Sequence, residues 1–481
     1  MNLTASTPIG LYLELWLIAC KWKPSIVSGV MLPAPVFNDA IKTALLKESA
    51  QESCAAIKVL LDDPSHGVLK GKILEVLREI DTFLYCIHPR VLLHSSMSVI
   101  DFSMRHWVRS LKARRIIHGC FIEVDGYKVV PRGPLVRLPR PEYASSATSF
   151  PDRFSALSVV PCVLHNDMVE VVVRHVAKSS SVVSGVKPGR RTGQETIAFI
   201  PVAEEAGDIV LTQRSTAASN FVDFRVSPSL DVAGSIAATL RNIGYVDIAI
   251  APELVVSAED SIKLVDKIRL DPGRHRIFVA GTGHTVELEE GQAWNEGRVV
   301  NGLGGIIWKQ RKFWQAGIDQ QRAIDLNLEP PENGRYLLED NASGEEVIVA
   351  DIDGFGRCIM LICQDVQAKP LTDELIRLFQ PDWVFAPILD IGISDGRWAH
   401  SRAFELSALS PARFLVATST SLAAKLGKVG VACGLAVGPK GCTEVDAGRV
   451  STLAIADKTQ GHNYSLVEWQ EDWGRTVVSI E

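Results

Sequence analysis

The runs FVDFRV (221–226), VAGSIAATLRNIG (232–244), VDIAIAP (246–252), IKLVDKIRL (262–270) and HRIFVAG (275–281) follow one another closely. β-Branched and aromatic runs alternate here with segments whose apolar residues recur every three or four positions, the periods of strand and helix. That alternation predicts an α/β fold whose apolar strands are covered on both faces. Upstream, SSSVVSGVKPGRRTGQ (179–194) has the Ser, Gly, Pro and Arg content of an exposed linker and puts the main boundary near 190. LSVVPCVL (157–164) and MVEVVVRHV (168–176) read as strands. From Pro33 to about Arg115 the spacing is helical, as in AIKTALLKESAQESCAAIKVLL (40–61) and LKGKILEVLREIDTFLY (69–85). The expected domains are a helical one at 1–120, a β-containing connector with its linker at 121–194, and an α/β domain at 195–481.

Composition narrows the function classes. A chain of 481 residues calls for two or three folding units. Hydrophobic and charged fractions of 47% and 22% are ordinary, and a net charge of −6 does not make the whole molecule a nucleic-acid binder. One helical segment, SVIDFSMRHWVRSLKARR (98–115), gathers Arg105, Arg109, Lys112 and Arg115, and Lys128, Arg132, Arg137 and Arg140 follow. A solvated helix face is the first reading of this basic stretch; docking to a protein or nucleic acid is the second. Nine scattered cysteines without a Cys-X-X-Cys pair fit a reducing, cytoplasmic setting. GLYLELWLIAC (10–20) is apolar but short and contains Glu14, so a buried or partner-facing segment is expected in place of a membrane span. GLGG (302–305) reads as a turn, and no phosphate loop, dinucleotide fingerprint or metal-ligand spacing appears.

Three strand ends carry reactive side chains. VDIAIAPELVVS (246–257) runs out in Glu253, a carboxylate at the lip of a buried strand, where desolvation suits it to accept a proton near neutral pH. NGLGGIIWKQRKFW (301–314) carries Lys309 and Lys312, which alternation sends to opposite faces, so that one can point inward beside Trp308 and Trp314. GRCIMLICQDVQ (356–367) stops at Cys363, and a helix-like LTDELIRLF follows. A cysteine at such a transition meets backbone dipoles that lower its pKa. Singly, each has an ordinary structural explanation: a strand-end acid, a solvated cation, a buried thiol.

Taken in order, Glu after IAIAPE, Lys in KQRKFW after a Gly turn, and Cys in LICQD resemble the Glu-Lys-Cys motif set of the nitrilase (carbon-nitrogen hydrolase) superfamily. The surroundings extend the resemblance: VAGTG (279–283), WN (294–295), PDWVFAPILD (381–390) and WAHSRAFELSALSPARFLVATSTS (398–421). It covers about 195–481. It implies an α-β-β-α sandwich preceded by a mostly helical N-terminal domain, association into a homodimer or larger assembly, and no metal or organic cofactor. The implied catalytic residues are Glu253 as base, Lys312 as oxyanion stabiliser and Cys363 as nucleophile, with Gln364 and Asp365 beside it. Lys312 and Cys363 stand 51 positions apart, with EPPENGRYLLEDNASGEE (329–346) as an insertion. The family's supporting glutamate is then Glu339, with Glu329 as the alternate. Gln364 after the nucleophile, in place of Trp, favours a small-molecule amide over a nitrile. The expected reaction is thiolate attack, a thioester and release of ammonia or an amine. Two rivals remain: a catalytically silent nitrilase-like scaffold acting through its N-terminal half, and a cysteine-histidine hydrolase using His400 or His284.

Overall fold

The computed structural model describes residues 3–89, 104–133, 150–165, 168–177, 195–216, 219–332, 334–353, 355–410, 412–440, 449–457 and 463–469. The linker 179–194, Arg137, Arg140 and Cys442 lie outside the described residues. The chain divides into two compact units, 1–163 with 173–175, and 164–172 with 176–481.

The first unit is built on helices Pro8–Ala19, Pro35–Leu45, Ala50–Asp62, Leu69–Leu84 and His106–His118. Leu11, Tyr12, Phe37, Ile41, Ile57, Ile73, Leu77, Ile80 and Val108 meet in one core. The apolar run at 10–20 has no exposed residue, apolar nearly all round because it is covered nearly all round. Three strands, β1 (Ile122–Val124), β2 (Tyr127–Pro131) and β3 (Leu157–Pro161), form an antiparallel sheet of the same unit. The buried Asp81 carboxylate on helix Leu69–Leu84 accepts the backbone N–H groups of Ser155, Ala156 and Leu157 at 2.8–3.0 Å, fixing the start of β3 on the helices. Of the stretch 121–194, the strands to 161 fall in the same unit as the helices, because Phe121, Val129 and Leu157 share their core. The basic stretch is also not a continuous exposed face. Arg115, Lys128 and Arg132 are buried, and Arg105 is paired with Glu48.

The second unit contains part of β4 (Val163–Leu164) and part of β5 (Val169–Val176), with β6 (Thr196–Phe199), β7 (Ile209–Ser215), β8 (Asn220–Val226) and β9 (Val246–Ile250). Next come β10 (His275–Glu289), β11 (Gln292–Asn301), β12 (Ile306–Arg311), β13 (Gly317–Ile318), β14 (Leu337–Glu339) and β15 (Glu346–Ile352). The last are β16 (Gly356–Met360), β17 (Trp383–Ile388), β18 (Arg413–Thr418), β19 (Gly434–Lys440), β20 (Arg449–Ala456) and β21 (Ser465–Glu468). They make a six-stranded sheet in the order β12-β11-β10-β9-β6-β21 and an eight-stranded sheet in the order β20-β19-β18-β17-β16-β15-β5-β4.

The sheets stack face to face. Gly434 lies against the Phe199 ring and Gly297 against the Met360 sulfur, each so closely that a Cβ would come within 2.4 Å of the opposing side chain. Outside the six-stranded sheet, helices Val232–Ile243 and Ala258–Leu270 pack Ile236, Leu240, Leu264 and Ile268 onto Ala249, Phe278 and Val300. Asp231 and Ser257 cap their N-termini, with Lys267 and Arg269 at the end of the second, charges that suit the helix dipole. Helices Leu371–Phe379 and Trp398–Leu409 contact each other, and the latter lies on β18–β20 of the eight-stranded sheet. The result is the α-β-β-α layering that the α/β pattern and the resemblance imply. FVDFRV differs from expectation: as β8 it sits in a separate four-stranded sheet, β13-β14-β8-β7, half exposed as its polar alternation requires.

Candidate active site

Glu253 comes off β9, all five of whose residues are buried, and lies beyond Pro252. Leu254 then adopts φ +59°, a sharp turn that any side chain but glycine's disfavours. Its N–H donates to Thr282 Oγ1 at 3.0 Å and that of Glu253 to the Ile388 carbonyl at 3.3 Å, so one strand of each sheet, β10 and β17, holds the turn. Lys312 follows the β11–β12 hairpin, whose turn is tied by Asn301 Oδ1 accepting from Leu303 and Gly305 N–H. Alternation operates as expected: Lys309 faces out toward Glu296, while Lys312 is fully buried. The Lys312 backbone is clamped, its N–H donating to Asn295 O at 2.9 Å and its carbonyl accepting from Gly344 at 2.7 Å. Cys363 follows β16 at φ +48° and opens a short 3-10 turn, Cys363–Gln367. Such a strained elbow projects a side chain out of the strand end.

Glu339 arrives from the long insertion because β14 pairs in parallel with β8, bringing Glu339 opposite Val222. Glu329 remains on the surface, where its carbonyl accepts from Gln213. Of the two glutamates, only Glu339 reaches the other site residues.

In the assembled centre Lys312 Nζ donates to Glu253 Oε1 at 2.7 Å and contacts Glu339 Oε2. Burial and the Lys312, Glu339 and Cys363 side chains set the charge balance. Burial raises the Glu253 carboxyl above the ordinary glutamate range, against the pull of Lys312. The two carboxylates outweigh desolvation at Lys312 and push its ammonium well above the usual lysine value. The Cys363 thiol interacts with Glu253, Lys312 and the Leu389 backbone N–H. Cys363 departs from expectation: burial and Glu253 push its pKa well up, overriding the backbone dipoles. The resting group is therefore a thiol beside a base.

Asp365 is a brace. Its Oδ1 accepts from Trp314 N–H at 2.9 Å and Phe313 N–H at 3.2 Å, and its Oδ2 from Ile362 N–H at 3.2 Å, tying the end of the lysine strand to the cysteine turn. Gln364 is half-buried next to Cys363. The histidines are engaged elsewhere: His284 pairs with Asp223 at 3.0 Å and His400 with Thr452 and Asp395. Sequence reasoning noted Asn295 only within the pair WN and Thr282 only within VAGTG, and gave neither a role. Both are fully buried at this centre. Asn295 Nδ2 donates to Glu253 Oε1 at 2.9 Å and to Glu339 Oε1 at 3.1 Å. A cavity of about 380 Å³ is lined by residues including Ile391, Ile393, Arg397, Lys428 and Asp457 and by none of the residues of this centre.

No family model matches the sequence, and no curated protein matches it. Solved structures do. Saccharomyces cerevisiae Nit3, a member of branch 10 of the nitrilase superfamily, is 13% identical, with 60% of this chain and 96% of that one covered at a TM-score of 0.35. An amidase from Nesterenkonia sp. is 16% identical, with 61% and 95% covered at a TM-score of 0.36. A mutant of the Nesterenkonia sp. AN1 amidase carrying the acetamide moiety of fluoroacetamide at its active-site cysteine is 15% identical, with 59% and 92% covered at a TM-score of 0.37. The solved structures to which this chain is similar thus include nitrilase-superfamily members, over about 60% of its residues.

Proposed function

We propose that the second unit is a carbon-nitrogen hydrolase acting on non-peptide amides, with Cys363 as nucleophile. The observation that carries this reading is the buried contact of Glu253 with both the Cys363 thiol and the Lys312 ammonium. A thiol with a raised pKa attacks only as its proton leaves, and Glu253 is placed to take it. The Cys363 sulfur adds to the amide carbon, and the oxyanion is met by Lys312 and the Gln364 N–H. Loss of one such donor commonly costs about 3–4 kcal/mol. Glu253 returns its proton to the leaving nitrogen, ammonia or an amine departs, and a thioester remains. Glu253 then activates water, which releases the acid and restores the thiol. Glu339 keeps Lys312 charged.

Ammonia release across a panel of amides, ureides and nitriles, with Cys363→Ala as control, tests the reading. Turnover of amides that Cys363→Ala abolishes is expected; equal release by both proteins would sink it. We also expect a dimer or larger assembly. Phe404 and Leu409, exposed on helix Trp398–Leu409, offer apolar surface for it. Light scattering showing a monomer at micromolar concentration is the contrary result. All eight described cysteines are free, which supports a reducing compartment.

A further inference from the structure

We infer that Asn295 is the positioning residue of this centre, locked in one orientation by Thr282 so that a single amide group aims both Glu253 and Glu339 at Lys312. The inference rests on the reading of Cys363 and Glu253 as nucleophile and base.

A count of protons and lone pairs supports it. The Asn295 amide nitrogen has two hydrogens, and two carboxylate oxygens take them, Glu253 Oε1 at 2.9 Å and Glu339 Oε1 at 3.1 Å. Its oxygen accepts the Thr282 hydroxyl proton. The Thr282 oxygen in turn accepts the Leu254 N–H at 3.0 Å. Turning the amide over would set its oxygen against two carboxylates, so one orientation survives. The Asn295 carbonyl meanwhile holds the Lys312 N–H at 2.9 Å. One buried residue therefore touches the base, its partner glutamate and the lysine, while Thr282 ties the same amide to the turn behind Glu253.

The arrangement has a function that packing alone does not supply. Two carboxylates share one ammonium in a dry site, and each raises the cost of ionising the other. The groups facing Glu253 are Lys312, Glu339, Cys363 and, farther off, Asp365. Hydrogen bonds donated to a carboxylate favour its charged form. The Asn295 amide thus supports the ionised state of both glutamates while keeping them apart.

The test uses the full chain and iodoacetamide, reading alkylation of the Cys363 peptide by mass spectrometry across a series of buffers from mildly acidic to mildly alkaline. Circular dichroism on the same samples verifies folding. In Thr282→Val, which keeps the shape and deletes the hydroxyl, the acidic limb of the alkylation rate is expected to move up by about one pH unit. Asn295→Ala should move it at least as far, and Thr282→Ser should hold it in place. A purely structural role would lower the thermal midpoint of Thr282→Val and leave the limb unmoved; that result overturns the inference alone. A wild-type Cys363 inert at every pH overturns the nucleophile assignment and this inference with it.

Discussion

At the residue scale, Glu253 has the setting that its proposed role as a base requires. Water is removed from it, which raises its pKa, while Lys312 at 2.7 Å limits the rise. Hydrolysis needs the carboxylate form, so kcat/KM should fall as pH drops through a value above the ordinary glutamate range. Lys312, held above its usual value, stays charged through the mildly alkaline range, so no alkaline limb is expected from it. An acidic limb at or below the range of exposed glutamates would contradict the geometry. Glu253→Gln should lower kcat by about 10²–10⁴-fold, the usual contribution of general base catalysis. The same change should spare turnover in a cysteine-histidine enzyme, so steady-state kinetics on this variant separates the two mechanisms. Lys312→Met strands two buried carboxylates, and unfolding in denaturant should show a loss of about 3–5 kcal/mol. Adding Glu339→Gln should recover part of that loss.

At the element scale, each side chain proposed as catalytic sits where a strand ends, and the neighbouring element holds that end in place. Gln310 of β12 is an example: its Nε2 donates to Glu346 O at 2.7 Å and its Oε1 accepts from Ile348 N–H at 2.9 Å. It thereby joins the edge of the six-stranded sheet to β15, two residues before Lys312. Gln310→Ala leaves those backbone groups unpaired, at about 1–3 kcal/mol. Its thermal midpoint should therefore drop, and KM should change little if the lysine stays in place. The insertion at 329–346 marks the limit of sequence reading at this scale. It contributes Glu339 only because β14, three residues long, finds β8 as a partner. Nothing in LLE announces that pairing, since so short a strand is set by its neighbour and not by its own propensity.

At the scale of the whole molecule, the two stacked sheets of the second unit depend on shape at their contact. A Cβ on Gly434 would lie 2.3 Å from the Phe199 ring, so Gly434→Ala should overpack the interface by about 1–3 kcal/mol. Phe199→Leu in the same chain should return part of it, a coupling that calorimetry on the double-mutant cycle can read. Arg413 is stacked between Trp383 at 4.4 Å and Trp469 at 4.9 Å, with Glu195 at 3.3 Å. Trp469 stands just past β21, so the last described strand closes over the sandwich. Trp469→Ala should cost about 3–5 kcal/mol.

Periodicity and residue type by themselves determined the alternation of strand and helix, the opposite faces of Lys309 and Lys312, the strand-end places of Glu253 and Cys363, and the turn at 302–305, because each depends on residues close in sequence. The place of Glu339 over Glu329, the raised thiol pKa, the bracing role of Asp365, and the grouping of β1–β3 with the helical unit were decided by the tertiary structure. So was the meeting of Asn295 and Thr282 with the two glutamates. These depend on which distant strand supplies the neighbour and on how much water is excluded, quantities that no local stretch of sequence contains.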